Sequence, residues 1–156
     1  RLQAEHMSLK LGMDGKLYRT TLGGAIPDPE AWSLMDNVRD VTLNMDTGEA
    51  DVTTRGNNGW KAKVSTLKEG TVEFEMIWDP ADESFGFIFD AFLNKTPIGL
   101  AVMDGLIDVA GSEGLVGDFS IIKCTRDEKL EDAMKAQIMA SLTYSATPPE
   151  WRVVAP

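Results

Sequence analysis

Acyl-transfer catalysis and most zinc chemistry need an imidazole beside a nucleophile or a metal, and this sequence contains one histidine, His6. A His-Met junction such as His6-Met7 is a common trace of expression cloning, so residues 1–6 are read as a cloning remnant and the natural chain as starting at Met7, with no histidine after it. Cys124 is the one cysteine. It can form neither an internal disulfide nor a thiolate metal cage, and it reads as a small buried hydrophobe. Glu73 and Glu75 stand two apart, the spacing of one strand face, and two carboxylates on one face can cleave a glycosidic bond. The outward face of an amphipathic strand is charged in any case, which is the simpler reading of the pair. Asp46, Glu49 and Asp51 offer oxygen ligands to a hard cation, but their spacing misses the calcium-loop pattern and no glutamate closes a twelve-residue loop. Gly111, Gly114 and Gly117 lack the Gly-Lys pair and the following helix of a phosphate loop. No catalytic residue, metal ligand or cofactor is therefore expected, and the chain reads as a protein that is not an enzyme.

The elements that would position these residues are mainly strands. Ser8 to Arg19 places Leu9, Leu11 and Met13 on one side of Asp14-Gly15, with Leu17 and Tyr18 beyond, which predicts a hairpin. Thr20 to Trp32, with Gly23-Gly24 and Pro27-Asp28-Pro29, predicts a long loop. Val41, Leu43 and Met45 alternate with Thr42 and Asn44, a half-buried strand. The polar stretch Asp46 to Gly59 predicts a second long loop, and loops of that length usually serve a function. Trp60, Ala62 and Val64 resume the alternation, and Val72, Phe74, Met76 and Trp78 form its cleanest run. Asp79 as N-cap and Pro80 at the first helical position predict a helix carrying an aromatic stripe of Phe85, Ile88, Phe89 and Phe92, ended by Pro97. Ile98–Met103, Gly117–Thr125 and a long run over Ala133–Ala146 read as further strands. The tail beyond Pro148-Pro149 holds Trp151, Val153 and Val154, apolar residues past the last element, and reads as a docking segment.

About seven antiparallel strands and one helix predict a mainly β fold, a sandwich or barrel flanked by the helix. The 156 residues suit one domain, taken as 7–146 with a C-terminal extension 147–156. No apolar run long enough for a membrane span occurs, so no membrane partner is expected. Fifteen basic against 25 acidic residues give a net charge of −10. Such a surface does not grip phosphate backbones, though it does not stop nucleic acid from sliding past.

The order of motifs resembles the tail tube (major tail) proteins of bacteriophages. Trp32 is followed by Asn37-Val38-Arg39-Asp40-Val41, then Glu49-Ala50-Asp51-Val52-Thr53-Thr54-Arg55, then Gly59-Trp60-Lys61. Leu67 to Glu75, Trp78-Asp79-Pro80, Asp82 and the helix continue the likeness, which covers most of residues 8–146. The resemblance implies subunits that join as hexameric rings and stack into a hollow tube for phage DNA, which passes without specific binding. It implies a virion tail component, made in the bacterial cytoplasm, from a phage or prophage. Its partners would be copies of itself and other tail proteins such as terminator, tape measure or baseplate components. By the same resemblance the segment holding Asp46, Glu49, Asp51, Thr53, Thr54 and Arg55 reaches a neighbouring subunit or ring. Two other readings stand beside it: a tube subunit of a type VI secretion or contractile injection apparatus, and a soluble ligand- or peptide-binding β-domain.

Overall fold

The computed structural model describes residues 9–20 and 31–156. The cloning remnant, Met7 and most of the loop expected over Thr20–Trp32 lie outside the described residues. The elements in chain order are β1 (Lys16–Thr20), β2 (Ser33–Leu34), β3 (Val38–Asp51), β4 (Lys63–Ile77), α1 (Glu83–Asn94), β5 (Ile98–Met103), β6 (Glu113–Asp127), β7 (Lys135–Leu142) and β8 (Glu150–Val153). The strands form one eight-stranded sheet in the order β2-β1-β5-β6-β7-β4-β3, with β8 paired to β6. Every pairing is antiparallel. The mainly β architecture with one helix expected from the sequence is the one observed.

Alternation explains which face is buried. In β4, Val72, Phe74 and Met76 point into the core while Glu73 on the other face is exposed. Ala136, Ile138 and Ala140 of β7 are their register partners and are buried with them. Phe85, Ile88 and Ala91 of α1 close over this surface, with Leu100 and Phe119 from the neighbouring strands. Burying each large side chain of this set contributes about 1.5–3 kcal/mol. A second cluster, Tyr18, Trp32, Ala101, Met103, Ile107 and Val116, is built from the alternate residues of β1, β5 and β6, so it lies on the opposite face of those strands. The Tyr18 hydroxyl accepts a hydrogen bond from the Ile107 N–H at 3.1 Å, which ties the loop after β5 to this cluster. Strands covered on both faces lose their alternation of burial, and β5 is buried at five of its six positions.

The structure corrects three local expectations. No strand forms over residues 9–15: Gly12–Asp14 is a single 3₁₀ turn, and Leu9, Leu11 and Met13 are exposed rather than sharing a buried face. The Asp14 carboxylate accepts from the Leu11 N–H at 2.9 Å and curls the segment back on itself, so the Asp-Gly signal marks a coil end instead of a hairpin. Helix α1 starts three residues later than expected. Asp79 caps only a turn, accepting from the Ala81 N–H, while Asp82 is the N-cap and accepts from the Phe85 N–H at 2.8 Å. Within α1, Phe85 and Ile88 are buried, and Phe89 and Phe92 are half-buried. The third correction concerns Asp46 to Gly59, and it shapes the candidate site.

Candidate assembly interface

The segment expected as a loop begins as a β-ribbon and ends in a short irregular tip. Strand β3 continues through Asp46 to Asp51, and β4 begins at Lys63 and runs unbroken to Ile77, so the expected two strands of residues 60–78 are one. Register pairs Asp46 with Glu69, Thr47 with Lys68, Glu49 with Ser65, Ala50 with Val64 and Asp51 with Lys63. The register slips between Thr47 and Glu49, at Gly48, where any Cβ would stand 2.5 Å from the Thr66 hydroxyl oxygen. A side chain there would push the Thr66 hydroxyl aside. From Asp46 to Glu69 every described position is exposed except the half-buried Ala50 and Ala62. The ribbon is an arm standing clear of the body, and its paired length from Met45 to Asp51 spans roughly 20 Å.

Local hydrogen bonds fix the arm's tip. The Asp51 carboxylate accepts from the Thr53 N–H at 2.9 Å. The Thr53 hydroxyl accepts from the Ala62 N–H at 2.8 Å, and the Val52 N–H donates to the Ala62 carbonyl at 2.9 Å. The Thr53 hydroxyl first, and its N–H second, hold the Asp51 carboxyl below the ordinary carboxylate range. Arg55–Asn57 makes a 3₁₀ turn, closed by Asn58 at φ 57° and Gly59 at φ 83°, two left-handed residues of the kinds that tolerate it. Asn57 grips Trp60 twice, its side-chain amide donating to the Trp60 carbonyl at 2.9 Å and its carbonyl accepting from the Trp60 N–H at 3.0 Å. Lys63 pairs with Glu49 at 3.0 Å. Asp46, Glu49 and Asp51 thus lie on β3, and Thr53, Thr54 and Arg55 in the tip, all on one projecting element.

Sequence reasoning missed that the apolar residues of this element, spread over both of its faces, stay in water. Met45, Val52, Trp60, Val64 and Leu67 are all exposed, Trp60 at 76% and Leu67 at 82%. Val41, Leu43 and Met45 form the same stripe that faces the core lower down, so the signal was present as an alternation running out past the body. So much apolar surface in water on a projecting, locally ordered arm is uncommon in a subunit standing alone. Strand β3 is also the end strand of the sheet path, so among the described residues its second edge carries unpaired backbone groups along 14 residues.

Two concave surfaces flank the base of the arm. One is the sheet face opposite α1, a shallow basin of about 470 Å³ lined by Asp40, Thr42, Glu73, Glu75, Lys123, Thr125, Asp127 and Gln137. Glu73 and Glu75, the candidate glycosidase pair, lie here. Glu75 stands 3.7 Å from Arg39, and Glu73 accepts from the Asn44 amide at 3.4 Å. The other is a groove of about 490 Å³ where β3 curls towards β1 from the far end of the sheet. Leu11, Val41, Leu43, Val102, Met103 and Trp151 give it an apolar floor, and Lys16, Arg39, Asp40, Asp104 and Glu113 line its rim. Trp151 reaches this groove because the tail forms β8 on β6, its indole N–H donating to Glu113 at 3.0 Å. Val153 of β8 is exposed and Val154 packs against the second cluster.

Among the described residues no group of three or more His, Cys, Asp or Glu side chains is placed to hold a metal ion. Burial raises the pKa of the Cys124 thiol, which disfavours the nucleophilic thiolate. No described helix is long and apolar enough to cross a membrane.

No protein-family profile and no curated protein sequence matches this chain. Solved structures do match it in shape. A chain from the tail of an empty gene transfer agent particle with C6 symmetry superposes with a TM-score of 0.70 at 12% identity, covering 94% of this chain and 100% of that one. A chain of the SPP1 tail tube superposes with a TM-score of 0.69 at 13% identity, covering 95% and 81%. A chain of the anti-feeding prophage baseplate, 6-fold symmetrised, gives 0.58 at 10% identity, covering 90% and 92%. The class is therefore that of the phage tail tube fold. Within that class, the resemblance met in the sequence over residues 8–146 and the likeness in shape concern nearly the whole chain.

Proposed function

We propose that this chain is a structural subunit that assembles with copies of itself into six-membered rings, stacked as the tail tube of a phage-like particle. The observation that carries the reading is the arm: an ordered ribbon with exposed apolar residues and a free strand edge, on a body that has the tail tube fold. A soluble monomer gains nothing by holding Trp60 and Leu67 in water, whereas a subunit buries them against its neighbour. Asp46, Glu49, Asp51, Thr53, Thr54 and Arg55 are the polar members of that contact. Unpaired edges join adjacent sheets by backbone hydrogen bonds, the mechanism of β-augmentation.

The basin opposite α1 suits the bore. Its titratable groups are Asp40, Glu73, Glu75 and Asp127 against Lys123, and six subunits of −10 bring about −60 to a ring. A bore of that sign repels phosphate, so DNA passes without sticking. The particle's terminator, tape measure and baseplate proteins are the further partners, and the mature location is the virion tail after synthesis in the bacterial cytoplasm. The likeness to the anti-feeding prophage baseplate chain favours one second reading, a tube subunit of a contractile injection apparatus with a protein cargo. No enzymatic role belongs to either reading. Electron microscopy of the purified chain tests the proposal: hollow rings or tubes with six-fold symmetry are expected, and dispersed monomers at every concentration would overturn it.

A further inference from the structure

The arm and the groove between β1 and β3 complement each other in apolar character and in charge. The tip presents one indole, Trp60, with Arg55 and Lys61 beside it, and among the described residues neither cation has an ion-pair partner. Between residues 52 and 68 there are four basic residues, Arg55, Lys61, Lys63 and Lys68, and no acidic one. The remainder of the chain then holds 11 basic and 25 acidic residues, a net of −14 against +4. The groove offers the converse. Val41, Met103 and Trp151 give it an apolar floor, with Val41 and Trp151 partly open to water. Asp40, Asp104 and Glu113 on its rim have no ion-pair partner among the described residues. Of the two rim cations, Arg39 is drawn to Glu75 at 3.7 Å and Lys16 donates to the Met13 carbonyl at 3.5 Å. A volume of about 490 Å³ takes an indole together with its flanking residues.

We propose that the tip of the arm seats in this groove on a second copy of the chain, with Trp60 on the apolar floor and Arg55 and Lys61 against the acidic rim. The inference rests on the self-assembly reading and names its lock and key. The tip cannot fill its own groove. Val41 lies ten positions from Asp51 along β3, about 33 Å of strand, and Trp60 lies beyond that point. The two hydrogen bonds from Asn57 hold the backbone of Trp60 ready, so little conformational freedom is lost on docking. An aromatic anchor in an apolar pocket with charges at its rim is also the arrangement in which a few residues carry most of an interface's affinity.

A cysteine pair tests it on the full chain. With Cys124→Ala as background, Lys61→Cys and Val41→Cys together are expected to give a ladder of covalent multimers under mild oxidation, because each chain offers a tip to one neighbour and a groove to another. A disulfide needs Cα atoms within roughly 7 Å, which the arm's length forbids inside one chain. Trp60→Ala is the second readout, expected to raise the concentration needed for assembly about tenfold with unchanged circular dichroism. Tubes formed by the double variant without a ladder, or by Trp60→Ala at the wild-type concentration, would overturn the inference while leaving the tube reading intact. A wild-type chain that never assembles would refute the tube reading and this inference together.

Discussion

Strands β3 and β4 pass through two environments, and the contrast between them separates folding from assembly. Around Leu43 and Val72–Met76 the apolar stripe of the ribbon packs into the core with α1 and β7, and Val72 and Met76 are fully buried. From Asp46 to Glu69 the same two strands are covered by no other described element, and Met45, Val64 and Leu67 stay exposed. Free energy of folding therefore concentrates in the body. The arm keeps its shape by register pairing and by the Asp51–Thr53–Ala62 hydrogen bonds, at little cost or gain to the fold.

Substitutions should split along that line. Phe119→Ala, at a fully buried position in the core with α1, is expected to cost about 3–5 kcal/mol in urea unfolding, the largest of these effects. Gly114→Ala comes next: a Cβ there would stand 1.8 Å from the Val102 carbonyl oxygen across the β5–β6 pairing, backbone that must move, and a loss of roughly 1–3 kcal/mol follows. Asp82→Ala removes the N-cap of α1 and should cost about 1 kcal/mol, seen as a lower melting temperature with the sheet signal retained. Met45→Ser with Val64→Ser reverses the pattern. Its unfolding free energy should stay within about 0.5 kcal/mol of wild type, while the concentration needed for assembly rises several-fold. If that variant unfolds as easily as Phe119→Ala, the arm belongs to the fold and the contrast collapses.

The smallest effect is acid-dependent. Asp51 has a lowered pKa in the folded chain, so the order its carboxylate gives to Thr53 is present above the ordinary carboxylate value of about 4 and is lost as pH falls through the lowered one. Amide resonances of the tip should therefore move below about pH 4, and Asp51→Asn should abolish that step.

How much of this was legible in the sequence depended on whether a face is buried. Residues 71–78 declared themselves because Val72, Phe74 and Met76 face a core and Thr71, Glu73 and Glu75 do not. Residues 46–51 are strand as well, but with water on both sides no face selects apolar residues, so Asp46, Thr47 and Glu49 read as loop. The helix was plain from its aromatic residues. Its start was not, since Asp79 and Asp82 are both capping residues and only the surrounding turn decides between them. Asp14-Gly15 misled because the Asp14 side chain bonds locally to Leu11, a competition that the dipeptide alone does not reveal. The groove joins Leu11, Val41, Met103 and Trp151 from four distant segments, and no linear pattern encodes that meeting.

Hydrogen exchange of the arm amides, followed from dilute to concentrated protein, probes most directly the claim that residues 46–69 are covered by another copy. Strong new protection over Val52–Lys61 and around the groove, rising together with the assembled fraction, is the expected result. Arm amides that exchange equally fast in dilute and assembled samples would contradict it.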